Sequence, residues 1–148
     1  MSIPKTPCIG ICSTTSLGDN VCRGCRRYSF EVIKWNSYEP QEKRAVLMRI
    51  EQLIGQILED KFQIFSETTL KSQLKKFNVP FDPKLSAYCW LHNLFKKNKD
   101  KIKSLRDYGV SVKTEFVKVP LDQLIASVDN ELQILSDAHH ERYLSARR

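Results

Sequence analysis

The chain has 148 residues, of which 41% are hydrophobic and 28% are charged, and its formal net charge is +7. This apolar content is enough to form a core, which excludes a largely disordered chain. No apolar run approaches the ~18 residues that a membrane-spanning helix needs. The first seven residues lack the apolar stretch of a signal peptide, so we expect a cytoplasmic protein that is not bound to a membrane.

Four of the five cysteines lie close together in the pattern Cys-x3-Cys-x9-Cys-x2-Cys: Cys8, Cys12, Cys22 and Cys25. Two close pairs joined by a short loop suit a tetrahedral thiolate site, because the loop can bring both pairs to one metal. Structural disulfides rarely persist in a reducing compartment. The Cys22–Cys25 pair also lacks the strand and helix context of a thioredoxin-like redox site. We therefore favour a metal site over a disulfide pair, a redox pair or four unrelated thiols.

The residues between the cysteines fit ligand turns. Three glycines lie inside or beside these turns, where a positive φ would let backbone N–H groups face sulfur: Gly10, Gly18 and Gly24. Residues 17–20, Leu-Gly-Asp-Asn, are typical of a reversing loop. Three arginines follow: Arg23, Arg26 and Arg27. They either offset the negative charge of a four-thiolate centre or are ordinary surface charges.

The identity of the metal is open at this level. Four thiolates suit a zinc ion and an iron–sulfur cluster alike. The usual ferredoxin runs, Cys-x2-Cys-x2-Cys and Cys-x4-Cys-x2-Cys, are absent. Because zinc tolerates variable ligand spacing, the chemistry favours a structural Zn2+ and leaves a cluster as the alternative.

Several motifs together resemble a known family. They are residues 7–12 (Pro-Cys-Ile-Gly-Ile-Cys), residues 22–27 (Cys-Arg-Gly-Cys-Arg-Arg), Trp35 and residues 42–46 (Glu-Lys-Arg-Ala-Val). They resemble a family of short bacterial proteins of unknown function that are commonly labelled predicted iron–sulfur proteins. The resemblance covers about residues 7–50. It implies that Cys8, Cys12, Cys22 and Cys25 are ligands, and its label implies iron.

Two helices are predicted directly after the cysteines. Ser29 is expected to cap a short helix, and Trp35 is expected to pack the cysteine segment against the next helix. That helix is predicted from Pro40 to about Asp60. Its apolar face consists of Val46, Ile50, Leu53, Ile54, Ile57 and Leu58.

Two further helices are predicted between residues 66 and 95. Ser66 is expected to cap the first, whose apolar face carries Leu70, Leu74 and Phe77. An Asp82-Pro83 pair is expected to begin the second, from Leu85 to Phe95. This helix is apolar nearly all round, so we expect it to be the buried centre of this half. On it, Cys89 is interpreted as a small buried hydrophobe and His92 as a core or edge histidine.

The last part of the chain is predicted to hold a strand and a helix. Residues 109–119 alternate and are β-branched, which predicts a strand or ribbon. Its partner could be residues 62–65, the cysteine segment or another subunit. A helix is predicted from Pro120, with His139 and His140 at a solvated end and residues 145–148 frayed.

Positive charge is concentrated between Lys71 and Arg106. This segment holds ten Lys or Arg and two Asp or Glu, a net charge of +8. Phe77, Tyr88 and Trp90 interleave with it, and basic surfaces with aromatic residues suit RNA or single-stranded DNA. The alternative is a solubilising lysine-rich surface. The candidate contacts are Lys71, Lys75, Lys96, Lys97, Lys99 and Lys101.

Together these patterns predict a mainly α protein. Residues 1–60 are predicted to form a four-cysteine metal module with its long helix, and residues 61–148 a helical extension with a basic middle. No Ser/His/Asp set, carboxylate pair or phosphate loop stands out. We therefore expect a non-enzymatic protein whose metal is structural and whose basic half contacts nucleic acid or a protein partner. The alternative is an iron–sulfur protein that transfers electrons.

Overall fold

The computed structural model of the protein describes residues 18–146, with side chains through Leu144. The mainly α class is confirmed. Cys8, Cys12 and Gly10 lie outside the described residues. The α-helices are α1 (Ser29–Lys34), α2 (Pro40–Lys61), α3 (Glu67–Lys76), α4 (Ala87–Asn98) and α5 (Leu121–Ala146). The strands are β1 (Phe62–Ile64) and β2 (Val110–Val112), and 3-10 helices lie at Trp35–Ser37, Lys99–Lys101, Leu105–Tyr108 and Thr114–Phe116. None of the described helices has the length and apolar content needed to cross a membrane.

The chain divides into two compact units. The first takes the residues up to Leu53 and from Asn130 onwards, and the second is Ile54–Asp129. The predicted division after residue 60 stays a prediction, because a compact unit is not by itself an independently folding domain.

In the first unit, α1 begins one residue earlier than the predicted cap implies. Tyr28 is the N-cap residue and Ser29 is already helical, so the prediction of Ser29 as the cap is wrong. The reason is the glutamate three residues on, because the Glu31 carboxylate accepts the Tyr28 N–H at 2.8 Å. This bond is the half of a capping box in which the third helical residue accepts the N–H of the N-cap residue.

The long helix α2 matches its prediction. It begins at Pro40, and the Glu42 carboxylate accepts the Glu39 N–H at 3.1 Å. The predicted apolar face is buried at Val46, Ile50, Leu53, Ile57 and Leu58. The interpretation of Trp35 as a packing residue is also confirmed. Its buried ring lies beneath the Arg27 guanidinium of the cysteine segment and the Lys43 ammonium of α2.

In the second unit, the cap of α3 and the partner of the predicted strand both match the prediction. The Ser66 hydroxyl accepts the Thr69 N–H at 3.2 Å, which confirms the predicted cap. Strand β1 pairs antiparallel with β2, Phe62 facing Val112 and Ile64 facing Val110, so residues 62–65 are the correct partner.

The predicted strand is nevertheless too long. Residues 113–119 are not β structure, and Thr114–Phe116 is a 3-10 helix. The Lys113 N–H still bonds the Lys61 carbonyl at 2.9 Å, but Lys61 is already the last residue of α2. A strand cannot continue without an extended partner beside it.

Helix α4 starts later than predicted. Ser86 is its N-cap and accepts the Tyr88 N–H at 3.2 Å. Asp82 and Pro83 do not begin it, because the Asp82 carboxylate and carbonyl accept the N–H groups of Lys84 and Leu85 in a separate turn. The predicted burial of α4 is confirmed, with Cys89 and His92 both buried.

Helix α5 begins at Leu121, one residue after the predicted Pro120, whose carbonyl accepts the Leu124 N–H at 3.0 Å. The expectation of a solvated histidine pair is wrong for His140. This side chain is buried, with its ring edge-on to Tyr28 at a centroid distance of 4.8 Å. His140 is buried because it packs against the buried Tyr28 ring, and Tyr28 is too far away in the sequence for the residues around His140 to reveal this contact.

Candidate metal centre

The segment with Cys22 and Cys25 is a tight hairpin. Val21 and Tyr28 form an antiparallel bridge at its base. The Cys22 N–H donates to the Arg27 carbonyl at 2.9 Å, and the Arg26 N–H donates to the Cys22 carbonyl at 2.8 Å. These bonds hold the two cysteines in one turn. Local hydrogen bonding thus presents both side chains from the same backbone loop.

The positive φ angles predicted for the glycines of the cysteine segment are found only in part. Gly18 has a positive φ of 72°, but Gly24 is not among the positive-φ glycines. The left-handed residue is Arg26, at φ 66°. A non-glycine residue pays a steric penalty there, so the surrounding bonds must stabilise it.

Both thiols are buried, at 1% exposure for Cys22 and 7% for Cys25. No disulfide joins Cys22, Cys25 or Cys89. Within residues 18–146 no group of three or more His, Cys, Asp or Glu side chains is gathered as a ligand set. The described part of the chain therefore supplies two of the four predicted sulfur ligands, and Cys8 and Cys12 are beyond it.

Arg27 faces the Cys25 sulfur. Its Nε donates to Cys25 Sγ at 3.3 Å, and its guanidinium lies over the Trp35 ring, 4.8 Å from the centroid. Arg27 is only 4% exposed. Among the described residues no carboxylate pairs with it. A buried cation is costly unless an anion lies close to it, and the nearest candidate here is sulfur.

The pKa of Cys25 is raised above its ordinary value. Burial is the main cause, and the nearby Cys22 thiol adds to it, while hydrogen bonds and charge from Arg27 act in the opposite direction. The side chain without a ligand is therefore a thiol at neutral pH. Metal binding must displace its proton, as for any cysteine ligand.

The other two arginines of the segment have different environments. Arg26 is buried, and its Nη1 donates to the Arg23 carbonyl and to Gln133 Oε1 of α5, the latter at 2.5 Å. Gln133 Nε2 in turn donates to the Val21 carbonyl at 3.1 Å. Arg23 is exposed and pairs with Asp19 at 3.1 Å. The surface interpretation therefore fits Arg23 but not the buried Arg26 and Arg27, and the role of these two in offsetting the charge of a thiolate centre stays a prediction.

A partly buried ion pair between Glu31 of α1 and Arg49 of α2 lies beside the hairpin. Arg49 donates from both terminal nitrogens to Glu31, at 2.7 and 2.8 Å. Its guanidinium also lies 3.9 Å from the centroid of the Tyr28 ring. Burial lowers the pKa of Arg49, but the Glu31 carboxylate outweighs this and the net shift is upward. Sequence reasoning missed this pair, since no motif links residues 18 positions apart.

The predicted basic residues all lie in the second unit. Lys71 and Lys75 are on α3, Lys96 and Lys97 are in the last turn of α4, and Lys99 and Lys101 are in the 3-10 helix that follows. All are exposed except Lys71, which is half-buried.

The aromatic residues near these lysines differ in exposure. Trp90 is 6% exposed and donates its Nε1 hydrogen to the Asp82 carbonyl at 2.7 Å, so it is a core residue. Phe77 is 38% exposed, and the Lys76 ammonium lies 5.5 Å from its ring centroid. Phe77 is thus better placed than Trp90 to stack on a base.

Comparison with known proteins gives one match. No curated protein and no solved structure matches the chain. The predicted resemblance over residues 7–50 is confirmed. Residues 6–53 match the sequence model of a family described as a protein of unknown function (DUF1289), and this match does not extend to the rest of the chain.

Proposed function

We propose that the protein binds one metal centre through Cys8, Cys12, Cys22 and Cys25, and that this metal is structural. The protein is a binding protein and not an enzyme in this proposal. In this proposal the metal joins Cys8 and Cys12 to the hairpin, and metal binding contributes folding free energy to this part of the chain.

The observation that supports this most is the environment of the cysteine turn. Two thiols are buried in one turn, and a buried guanidinium donates to one of them. A thiolate centre supplies the negative charge that Arg27 otherwise lacks among the described residues. Uncompensated burial of a charge costs several kcal/mol, so this pairing is the economical explanation.

Zinc is our first choice of metal. The spacing Cys-x3-Cys-x9-Cys-x2-Cys departs from the ferredoxin runs, and zinc requires only four ligands at tetrahedral positions. The alternative is an iron–sulfur cluster in an electron-transfer protein. The label commonly given to the family that the motifs resemble favours this alternative.

Metal analysis of the protein purified without oxygen separates the two. A colourless protein with one zinc per chain supports the structural site. A brown protein with iron and sulfide in stoichiometric amounts supports the cluster. If the wild-type protein binds neither zinc nor a cluster after reconstitution with each, the proposal is contradicted.

The ligands are tested by Cys22→Ser and Cys25→Ser, with Cys89→Ser as the matched control. All three cysteines are buried, but Cys89 lies on α4 in the second unit. We expect the first two variants to lose the metal and the control to keep it. Full metal content in Cys22→Ser would remove this turn from the site.

We further propose that the basic surface of the second unit binds single-stranded nucleic acid. The support is the exposure of Lys96, Lys97, Lys99 and Lys101 along one short stretch, together with the half-exposed Phe77. Phosphate contacts of this kind make binding weaken steeply with salt.

The test is the salt dependence of binding to single-stranded RNA. Changing these four lysines to Gln should lower the affinity and reduce the slope of log K against log salt by roughly 0.7 per lost contact. Lys113→Gln with Lys118→Gln is the control, since both are exposed in the same unit. No RNA binding at low salt would contradict this proposal and leave a protein partner as the alternative.

A further inference from the structure

We infer that Arg27 is a positioning residue of the metal centre, which directs the Cys25 sulfur and favours a centre of net negative charge. This inference rests on the proposed four-cysteine site and adds a residue to it that is not a ligand. It also implies that the site prefers a metal ion held by four thiolates to one held by fewer, because the former carries more negative charge beside Arg27.

The geometry gives Arg27 this role through its side-chain hydrogen bond to the Cys25 sulfur. Arg26 donates to the Arg23 carbonyl and to Gln133, and Arg23 lies at the surface, where it pairs with Asp19.

Trp35 holds the guanidinium in place. The ring lies beneath it at 4.8 Å, and Trp35 is itself buried. The ring therefore holds the charged end of Arg27 beside the turn, where its Nε–H donates to Cys25 Sγ. The Arg27 carbonyl also accepts the Cys22 N–H, so one residue contacts both cysteines of the turn.

The chemical effect follows from the hydrogen bond. An N–H donor with a full charge binds a thiolate more strongly than a neutral thiol. Partners of this kind, which orient a metal ligand without touching the metal, change metal affinity by about 10–100-fold. The bond also lowers the energy of the sulfur lone pairs, which raises the energy of sulfur-to-metal charge transfer.

The test uses Co2+ added to metal-free protein, with Zn2+ competition to measure affinity. The variants are Arg27→Met and Arg27→Lys, and the matched control is Arg23→Met, an exposed arginine of the same turn. We expect Arg27→Met to bind Co2+ about 10–100-fold more weakly, with its charge-transfer band at longer wavelength. Arg23→Met should match the wild type in both measurements.

The outcomes separate the inference from the proposed function. Wild-type affinity and band position in Arg27→Met would overturn the inference and leave the site intact. Absence of stoichiometric Co2+ binding in the wild type, or unchanged binding in Cys22→Ser, would overturn the site and the inference with it.

Arg27→Lys guards against a folding defect in Arg27→Met. It keeps the positive charge and most of the stem but has no Nε donor at that position. If Arg27→Met loses helical circular dichroism, a long-wavelength shift in the folded Arg27→Lys protein supports the inference. A band and an affinity unchanged in Arg27→Lys would then overturn it.

Discussion

The Glu31–Arg49 pair provides a sharp test of how the cysteine hairpin is held. We expect Glu31→Gln to destabilise the first unit strongly, although the two side chains have nearly the same shape. The amide oxygen can still accept the Tyr28 N–H. The negative charge that Arg49 binds through two hydrogen bonds is lost, however, and an amide N–H2 would face the guanidinium.

The magnitude follows from the exposure of the two side chains, 5% for Glu31 and 25% for Arg49. Removing one partner of a buried ion pair costs about 3–5 kcal/mol. Because Arg49 retains some contact with water, we expect a loss of roughly 2–4 kcal/mol in the free energy of unfolding. The exposed cap residue Glu42 offers a matched control, and Glu42→Gln should cost about 1 kcal/mol or less.

The chain offers a clean assay, since its two tryptophans lie in different units. Trp35 belongs to the unit that holds Glu31, and Trp90 belongs to the other. In a Trp90→Phe background, urea unfolding followed by fluorescence therefore reports on Trp35 alone. The double variant Glu31→Gln/Arg49→Met completes a thermodynamic cycle.

A loss below 1 kcal/mol in Glu31→Gln would refute the reasoning, because the pair would then behave as a solvent-exposed one. Strict additivity in the double variant would refute it as well. A buried pair predicts instead that Arg49→Met partly rescues Glu31→Gln, since no unpaired guanidinium remains.

Three other predictions concern packing, two in the second unit and one in the first. Gly109→Ala should destabilise the second unit by more than about 1 kcal/mol, since Gly109 has a φ of 74° and an added Cβ would lie 2.4 Å from the Ser66 carbonyl oxygen. Gly55 lies in the middle of α2, and a Cβ added there would meet nothing within 4 Å beyond the backbone of its own helix. Gly55→Ala should therefore stabilise the protein by about 0.5–1 kcal/mol. The stability of Gly109→Ala is measured by urea unfolding followed by Trp90 fluorescence in a Trp35→Phe background, and that of Gly55→Ala by circular dichroism. A Gly109→Ala protein as stable as the wild type would contradict the predicted clash. His140→Ala should lower the free energy of unfolding by roughly 1–2 kcal/mol, because the contact with the Tyr28 ring is lost. His139 is half-buried beside it, and His139→Ala should lower the free energy of unfolding by less. Equal losses of stability in thermal unfolding would contradict the buried placement of His140.

Local patterns in the sequence were sufficient for most of the helices. The apolar repeat from Val46 to Leu58 predicted the buried face of α2, because helical periodicity depends only on spacing along one element. The Ser66 cap was predicted for the same reason, since its partner Thr69 is three residues away. The close pairing of Cys22 and Cys25 in one turn likewise follows from their spacing.

Errors arose where a competing local signal or a short partner decided the outcome. Ser29 and Asp82 were plausible caps, but the cap of α1 is Tyr28, whose N–H Glu31 accepts, and the cap of α4 is Ser86. The strand predicted to residue 119 ended at Val112, because β1 has only three residues with which to pair. Such outcomes depend on neighbours that a single segment does not contain.

The sequence by itself determined the cysteine spacing, the helical periodicity and the concentration of lysines between residues 71 and 106. Only the tertiary structure decided which charged groups belong to the cysteine site. Arg26 meets Gln133 across 107 positions of sequence, and Arg27, Arg26 and Arg23 look equivalent until burial separates them. The physical reason is that the free energy of a charge depends on its solvent and its partners, and the fold sets both.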